Sequence, residues 1–183
     1  ITHGVDEIFK KTPLNDQIDH RLSVFTSRQD RNLNILIDVW VNKVNKIEKD
    51  ARLLITPIKK DLTKYNIFNR KMVNRHEYIQ NIVKSKIMLI PGHKSELYCL
   101  AAAEASELCI PIITMGIGAL SERVNHGVTG LISKNISEFG DNIIEIYKNK
   151  DLWKKIRSNL INKRGQNSWK KATISFLKTI SEQ

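Results

Sequence analysis

The chain has only two cysteines in 183 residues, Cys99 and Cys109, and they form no C-x-x-C pair. Neither a disulfide framework nor a zinc ribbon is indicated, and a reducing compartment is the default. Hydrophobic runs are short as well. Ile87 to Ile90 and Ile110 to Met115 fall far short of the ~20 apolar residues that a bilayer crossing needs. No membrane span and no signal peptide is expected. Acidic residues are scarce, 19 Asp and Glu against 30 Lys and Arg, for a formal net charge of +11. What is plentiful is apolar residues, 41% of the chain and spread along its whole length, which excludes extended disorder. Asn and Lys abound, but there is no repeat and no low-complexity segment. The length suits one domain of roughly 100 to 200 residues. The opening Ile1-Thr2-His3-Gly4-Val5-Asp6 reads like the interior of a longer sequence, so a fragment is expected.

Short apolar runs alternate with amphipathic helices, the pattern of a parallel sheet covered on both faces. Strands are expected at Leu22 to Thr26, Leu53 to Ile58, Ile67 to Val73, Ile87 to Ile90 (stopped by Pro91-Gly92) and Pro111 to Met115, and Gly127 and Gly130 frame a turn into Leu131-Ile132. Between them, Leu33, Leu36, Ile37, Trp40, Val44 and Ile47 recur at helical spacing. Tyr78, Ile79, Ile82 and Val83 mark a helix, the alanine-rich Leu97 to Leu108 a strong one, and Leu120 to Asn125 a short one. From Ser137 the chain is helical and basic, with apolar stripes through Phe139, Ile143 and Ile146, then Trp153, Ile156 and Leu160, then Trp169, Phe176, Leu177 and Ile180.

In an open parallel sheet, ligands bind beyond the carboxyl ends of the strands. That rule selects the loops Ser27 to Arg31, Pro91 to Glu96 and Met115 to Ala119. The first offers Arg28 and Arg31, the second Lys94 and Glu96 at a helix mouth, and the third two glycines that let backbone approach a ligand. Two guanidiniums, a helix N-terminus and a glycine turn suit a diphosphate. Glu96 and Glu104 are eight residues apart, which on one helix places both on the same face. Ionised carboxylates only accept hydrogen bonds, so such a pair suits two hydroxyl-bearing groups of one extended ligand.

Read singly, these residues have plainer explanations. Glu104 fits a structural ion pair, since an unpaired carboxylate in a buried helix is costly. Glu96 fits a first-turn residue favoured by the helix dipole, and Arg28 and Arg31 fit solvated surface charges. The five histidines show neither H-E-x-x-H spacing nor a cysteine partner, so metal binding is not expected. His93 alone falls in a candidate ligand loop, where it could touch a ligand or cap the loop. The basic tail could be a nucleic-acid surface, but Trp153 and Trp169 fit core stripes better than stacking platforms, and a solvated face attracted to anionic lipid is the milder reading.

Several motifs occur in order: Phe25-Thr26-Ser27-Arg28, Arg31-Asn32, Glu96-x7-Glu104, Pro111-Ile112-Ile113-Thr114, Gly118 with Glu122 beyond it, and His126-Gly127-Val128-Thr129-Gly130-Leu131. Together with Gly4-Val5-Asp6 they resemble the carboxyl-terminal domain of retaining glycosyltransferases with the GT-B fold, family 4, the glycosyl transferases group 1. The chain departs from that pattern in places. Arg31 stands for the usual lysine, Ser27 for a glycine before the arginine, and Leu97 and Cys99 for glycines after the first glutamate, while Leu53 to Ile58 lacks the customary Gly-x-Gly.

The resemblance implies a doubly wound, Rossmann-like α/β domain over 1–183, the C-terminal half of a GT-B fold. Residues 1–20 would lead in, 21–135 form the sheet core and 136–183 the C-terminal helices, with the N-terminal acceptor domain absent. It implies a nucleoside diphosphate sugar as donor and a glycan, lipid-linked or protein acceptor. Arg28, Arg31, Leu97 and Gly118 would hold the diphosphate, Glu104 the ribose, and Glu96 would be catalytic at the donor sugar. No cofactor, no metal and no nucleic acid is expected; the location expected is cytoplasmic, at most peripheral on an anionic membrane. The alternative is a non-catalytic basic α/β module that binds a partner, RNA or an anionic membrane surface.

Overall fold

The computed structural model describes residues 3–14, 17–166 and 168–181; Ile1, Thr2, Asn15, Asp16, Asn167, Glu182 and Gln183 lie outside them, and with them the start of the opening motif. Six parallel strands make one sheet in the order β3-β2-β1-β4-β5-β6: β1 Asp19–Val24, β2 Arg52–Ile55, β3 Ile67–Asn69, β4 Ser85–Gly92, β5 Ile112–Ile117 and β6 Gly130–Ile132. Helix α1 (Glu7–Lys11) precedes the sheet, and the crossovers are α2 (Leu33–Val39), α3 (Asn45–Ile47), α4 (Arg75–Ile82), α5 (Leu100–Glu107) and α6 (Leu120–Arg123). Helices α7 (Ile136–Lys148), α8 (Lys150–Lys163) and α9 (Trp169–Ser181) follow. This is the doubly wound α/β architecture that the alternating pattern predicts. Among the described residues no helix is long and apolar enough to cross a membrane.

Strand β4 shows why the sheet sits where it does. All eight of its residues are buried, as a central parallel strand covered on both faces requires. Successive side chains alternate between faces, so Ile87 and Leu89 join one core with Trp40, Phe139, Ile143 and Trp153, while Met88 and Ile90 join the other with Ile79, Ile82, Ala102, Ala105 and Leu120. Helices α2, α7 and α8 thus cover one face, and α4, α5 and α6 the other.

The structure corrects four expectations. Strand β4 runs through Pro91 to Gly92, which pairs with Ile117 after a register shift beyond Ile90; Gly92, at φ +98°, absorbs that shift in a conformation few other residues adopt. The long helix after Leu33 is broken by a π-helical turn at Trp40–Val44, where the buried Trp40 donates its indole N–H to the Tyr65 carbonyl at 2.9 Å. The edge strand β3 stops at Asn69 rather than Val73, just before Arg70 and Lys71. Finally, the α9 stripe is not core: Trp169 is 54% exposed, and Phe176, Leu177 and Ile180 are exposed too, with Ala172 buried. Trp153 by contrast is buried, and donates its indole N–H to the Lys86 carbonyl at 2.8 Å.

Candidate functional site

Chain order along the sheet reverses between β1 and β4: β1, β2 and β3 grow in one direction, and β4 returns to the far side of β1. The loops leaving these two strands therefore diverge, and a crevice opens at their carboxyl ends. A cleft of about 330 Å³ lies there, lined by Thr26, Ser27, Arg28 and Arg31 from the β1 side and by Glu96, Cys99, Leu100, Ala101 and Glu104 from the β4 side. Four side chains singled out in the sequence, Arg28, Arg31, Glu96 and Glu104, thus share one cavity.

Arg31 is the most firmly placed of them. Its Nε lies 3.6 Å from a Glu96 carboxylate oxygen, with both side chains only 18% exposed. Its Nη1 lies 3.0 Å from Nδ1 of His93. Next to it Asn32 adopts the left-handed conformation at φ +62° and donates from its amide to the Gly92 carbonyl at 2.5 Å. The β1 and β4 loops are therefore pinned together at the cleft floor. Arg28 is held differently: it is 73% exposed and forks onto the Asp30 carboxylate. That contact raises the Arg28 pKa further and lowers that of Asp30, so an incoming anion must compete with Asp30 for this guanidinium.

Glu96 and Glu104 share the cleft but not a helix. Residues 93–99 form a turn, and α5 begins only at Leu100, because Cys99 takes a left-handed conformation at φ +61° that helix cannot continue through. The axial spacing that one continuous helix would impose does not apply. Glu104 itself makes no ion pair within 4.0 Å among the described residues. Its side-chain hydrogen-bond partner among the described residues is the Tyr78 hydroxyl, which donates at a long 3.5 Å. Burial raises the Glu104 pKa, against the opposing charge of Arg75. The structural ion pair considered for Glu104 is thus not formed, and most of its acceptor capacity faces the cleft unused.

Leu97 and Gly118 lie outside the cleft lining. Leu97 is 92% exposed and sits in the turn rather than at the helix mouth. Gly118 supports that turn from below: at φ +67°, a Cβ there would fall 2.4 Å from the His93 carbonyl and 2.9 Å from that of Glu96, and the neighbouring Ala119 N–H donates to the Glu96 carbonyl at 2.9 Å. Sequence reasoning missed Tyr78, which looked like one more member of an apolar helix stripe. Its pKa is pushed up to about 12, first by burial and then by Glu104. Burial likewise lifts the Cys99 thiol to about 11, so it stays protonated and unreactive at neutral pH. A second cleft of about 240 Å³, between α5, α6 and the end of α8, contains none of the four charged residues.

The sequence pattern described as Glycosyl transferases group 1 matches residues 6–164. The chain belongs to this family. It is 22% identical over 155 residues to the uncharacterized glycosyltransferase MJ1178 of Methanocaldococcus jannaschii, covering 80% of this chain and 44% of that protein. Its fold superposes on Anabaena HepE, solved in complex with UDP, with a TM-score of 0.78 at 16% identity over 98% of this chain and 56% of HepE. It also superposes on the pneumococcal O-GlcNAc transferase GtfA, solved with UDP and GlcNAc, with a TM-score of 0.74 at 14% identity over 98% of this chain and 38% of GtfA. This group 1 chain therefore spans about half, or less, of the length of these proteins. What it shares with the two structures is their Rossmann-like GT-B half.

Proposed function

We propose that this chain is the donor-binding part of a retaining, family 4 type glycosyltransferase that moves a sugar from a nucleoside diphosphate sugar to an acceptor hydroxyl. The observation that carries the reading is the convergence of Arg28, Arg31, Glu96 and Glu104 on one cleft at the β1/β4 switch point. In the transfer, the bond between the anomeric carbon and the diphosphate oxygen breaks and its electron pair leaves with the nucleoside diphosphate. The acceptor oxygen bonds to the anomeric carbon on the same face, and its proton departs with the diphosphate. Arg28 and Arg31 would stabilise the charge that develops on the leaving group, with Gly118 supporting the turn that carries His93 and Glu96. Glu96 would accept hydrogen bonds from the donor sugar, and Glu104 from the ribose hydroxyls. In this reading the guanidiniums supply the positive charge, with no cofactor or metal required.

Acceptor binding belongs in this proposal to a second, N-terminal half of the same protein, facing the cleft. The exposed Trp169, Phe176, Leu177 and Ile180 on α9 offer an apolar face such a half could cover. A glycan, lipid-linked or protein acceptor, a cytoplasmic location and a contact of the basic surface with anionic membrane complete the proposal. UDP is the first ligand to try, because HepE and GtfA are solved with it. Ligand at about 100 times its Kd stabilises a protein by about 2.7 kcal/mol, so thermal shift against UDP, GDP, ADP and their sugars should single out one diphosphate that raises the melting temperature while its nucleoside does not. No shift with any of them at millimolar concentration overturns the donor-site reading.

A further inference from the structure

We propose that His93 is a positioning residue: its neutral ring, protonated on Nε2, accepts through Nδ1 and fixes the orientation of the Arg31 guanidinium in the cleft. The inference rests on the donor-site reading for its consequence, but not for its geometry. Two N–H groups converge on the same nitrogen. Arg31 Nη1 lies 3.0 Å from His93 Nδ1, and the Ser95 backbone N–H donates to it at 3.1 Å. Neither donor can act as an acceptor, since an arginine guanidinium and a backbone N–H only donate. Nδ1 must therefore carry its lone pair, and the ring proton sits on Nε2, for which no partner is found among the described residues.

The His93 backbone is fixed independently of the ring. Its carbonyl accepts from the Glu96 N–H at 3.0 Å and rests against Gly118, so the imidazole has a rigid base from which to hold Arg31. The groups around the ring are uneven in charge. Arg31 comes from the β1 loop beside the uncharged Asn32, Lys94 and Ser95 follow in the turn, and Gly118 of the β5–α6 turn brings no charge. Glu96 pairs with Arg31 rather than with the imidazole. Protonating Nδ1 would replace an acceptor by a donor against two donors and set a cation against a cation. The Arg31 contact would be lost, and the guanidinium left to Glu96 alone.

This predicts the opposite of what simple charge counting gives. An added positive charge beside a diphosphate site should tighten anion binding at low pH, whereas release of Arg31 should weaken it. The decisive comparison uses His93→Asn, whose side-chain oxygen can accept where Nδ1 does but cannot titrate, against His93→Ala, which removes the acceptor. Affinity for UDP, or for whichever diphosphate the panel selects, is measured by titration calorimetry from about pH 8 to about pH 5. The nucleotide's own phosphate titration is common to all variants and cancels between them.

At the upper end, His93→Ala should bind about three- to tenfold more weakly than wild type, and His93→Asn should match it. On acidification the wild type should lose more affinity than His93→Asn. Arg31→Ala and the Arg31→Ala/His93→Ala double variant should bind alike, because the histidine acts only through the arginine. Equal affinities and pH profiles for wild type and His93→Ala, or additive losses in the double variant, overturn the inference. A ligand-free measurement judges the geometry by itself: the ring 15N shifts of His93 should report the Nε2–H tautomer in wild type, and the Nδ1 shift should move in Arg31→Ala, where the Ser95 N–H alone still donates to it. A ring protonated on Nδ1 in wild type refutes the contact even if the diphosphate binds. Failure of every nucleotide to bind refutes the donor site and leaves the His93 Nδ1 shift, compared between wild type and Arg31→Ala, to decide the His93–Arg31 contact; an unchanged shift refutes it.

Discussion

Replacing Glu104 by Gln separates a ligand-binding carboxylate from a structural one, because the two roles move stability in opposite directions. In the free protein Glu104 is half-buried, with a single long hydrogen bond from Tyr78 and no ion pair among the described residues. Burial raises its pKa, so the ionised form costs the fold free energy. The sign follows from linkage: below its ordinary value the carboxyl is neutral in folded and unfolded chains alike and the cost is absent. As the pH rises from there through the higher folded value, the unfolded chain loses its proton first and stability falls. Above the folded value the cost stays constant. Glu104→Gln removes it, so at neutral pH the variant should melt no lower than wild type, and its advantage should vanish in acid. Binding should move the other way. In the donor-site reading, a carboxylate that accepts from two ribose hydroxyls is replaced by an amide that can accept from one at best, a loss of about 1.5 to 3 kcal/mol, or about ten- to a hundredfold in Kd. Chemical denaturation across pH and calorimetry with UDP and 2′-deoxy-UDP measure both sides. The deoxy nucleotide should lose much less in the variant than in wild type, as the bond it lacks is already gone. A variant that is destabilised at neutral pH, with additive losses toward the deoxy nucleotide, would refute the ribose role and make Glu104 a structural residue.

Arg31→Ala should weaken diphosphate binding about tenfold or more and leave the nucleoside unaffected. Arg28→Ala should cost less, because its guanidinium is exposed and already engaged by Asp30; calorimetry with UDP and uridine ranks the two, and a larger effect at Arg28 would contradict the structure. Gly118→Ala combines left-handed strain with a Cβ 2.4 Å from the His93 carbonyl and should cost about 2 to 4 kcal/mol in urea denaturation, whereas a near-neutral effect would show that the 93–96 turn moves freely. Tyr78 keeps its proton up to about 12 when folded against 10.0 ordinarily, so wild-type stability should fall as the pH rises through that window, and Tyr78→Phe should flatten the fall.

The fold was legible because it rests on burial, and burial leaves a period in the sequence. Strands β4 and β5 stand out as apolar runs, and the stripes of α7 and α8 do become core at Phe139, Ile143, Trp153 and Leu160. What the periodicity could not show is backbone handedness at single residues. Cys99 at φ +61° and Asn32 at φ +62° are conformations that the residue types do not announce, and they decide where α5 starts and how the β1 loop closes. The α9 stripe failed for another reason: an amphipathic pattern says that a face is apolar, not that anything in this chain covers it. In the site, the charged residues were legible through motif order, while Tyr78 and the Nδ1 contact of His93 were not. Both depend on what approaches from a distant part of the chain, which spacing along one segment does not encode.

The cleft's own charges argue that its ligand must be more than a phosphate anion. Two guanidiniums, Arg28 and Arg31, meet three carboxylates at Asp30, Glu96 and Glu104, so the site is not a strongly positive hole despite the chain's +11. Both arginines are already paired, and an incoming diphosphate trades one acceptor for another rather than meeting bare charge. The gain from that exchange is small, because charge-assisted hydrogen bonds replace others of the same kind. Glu104 is the group whose situation improves most: it has acceptor capacity in hand, no ion pair among the described residues, and a pKa raised by burial against the more distant charge of Arg75. A hydrogen-bond donor such as a hydroxyl can satisfy it, whereas a second anion would be repelled. A ligand that presents hydroxyls at one end and a diphosphate at the other meets both conditions. In the proposed donor-site reading the carboxylates would set selectivity, and the arginines the position of the diphosphate that leaves.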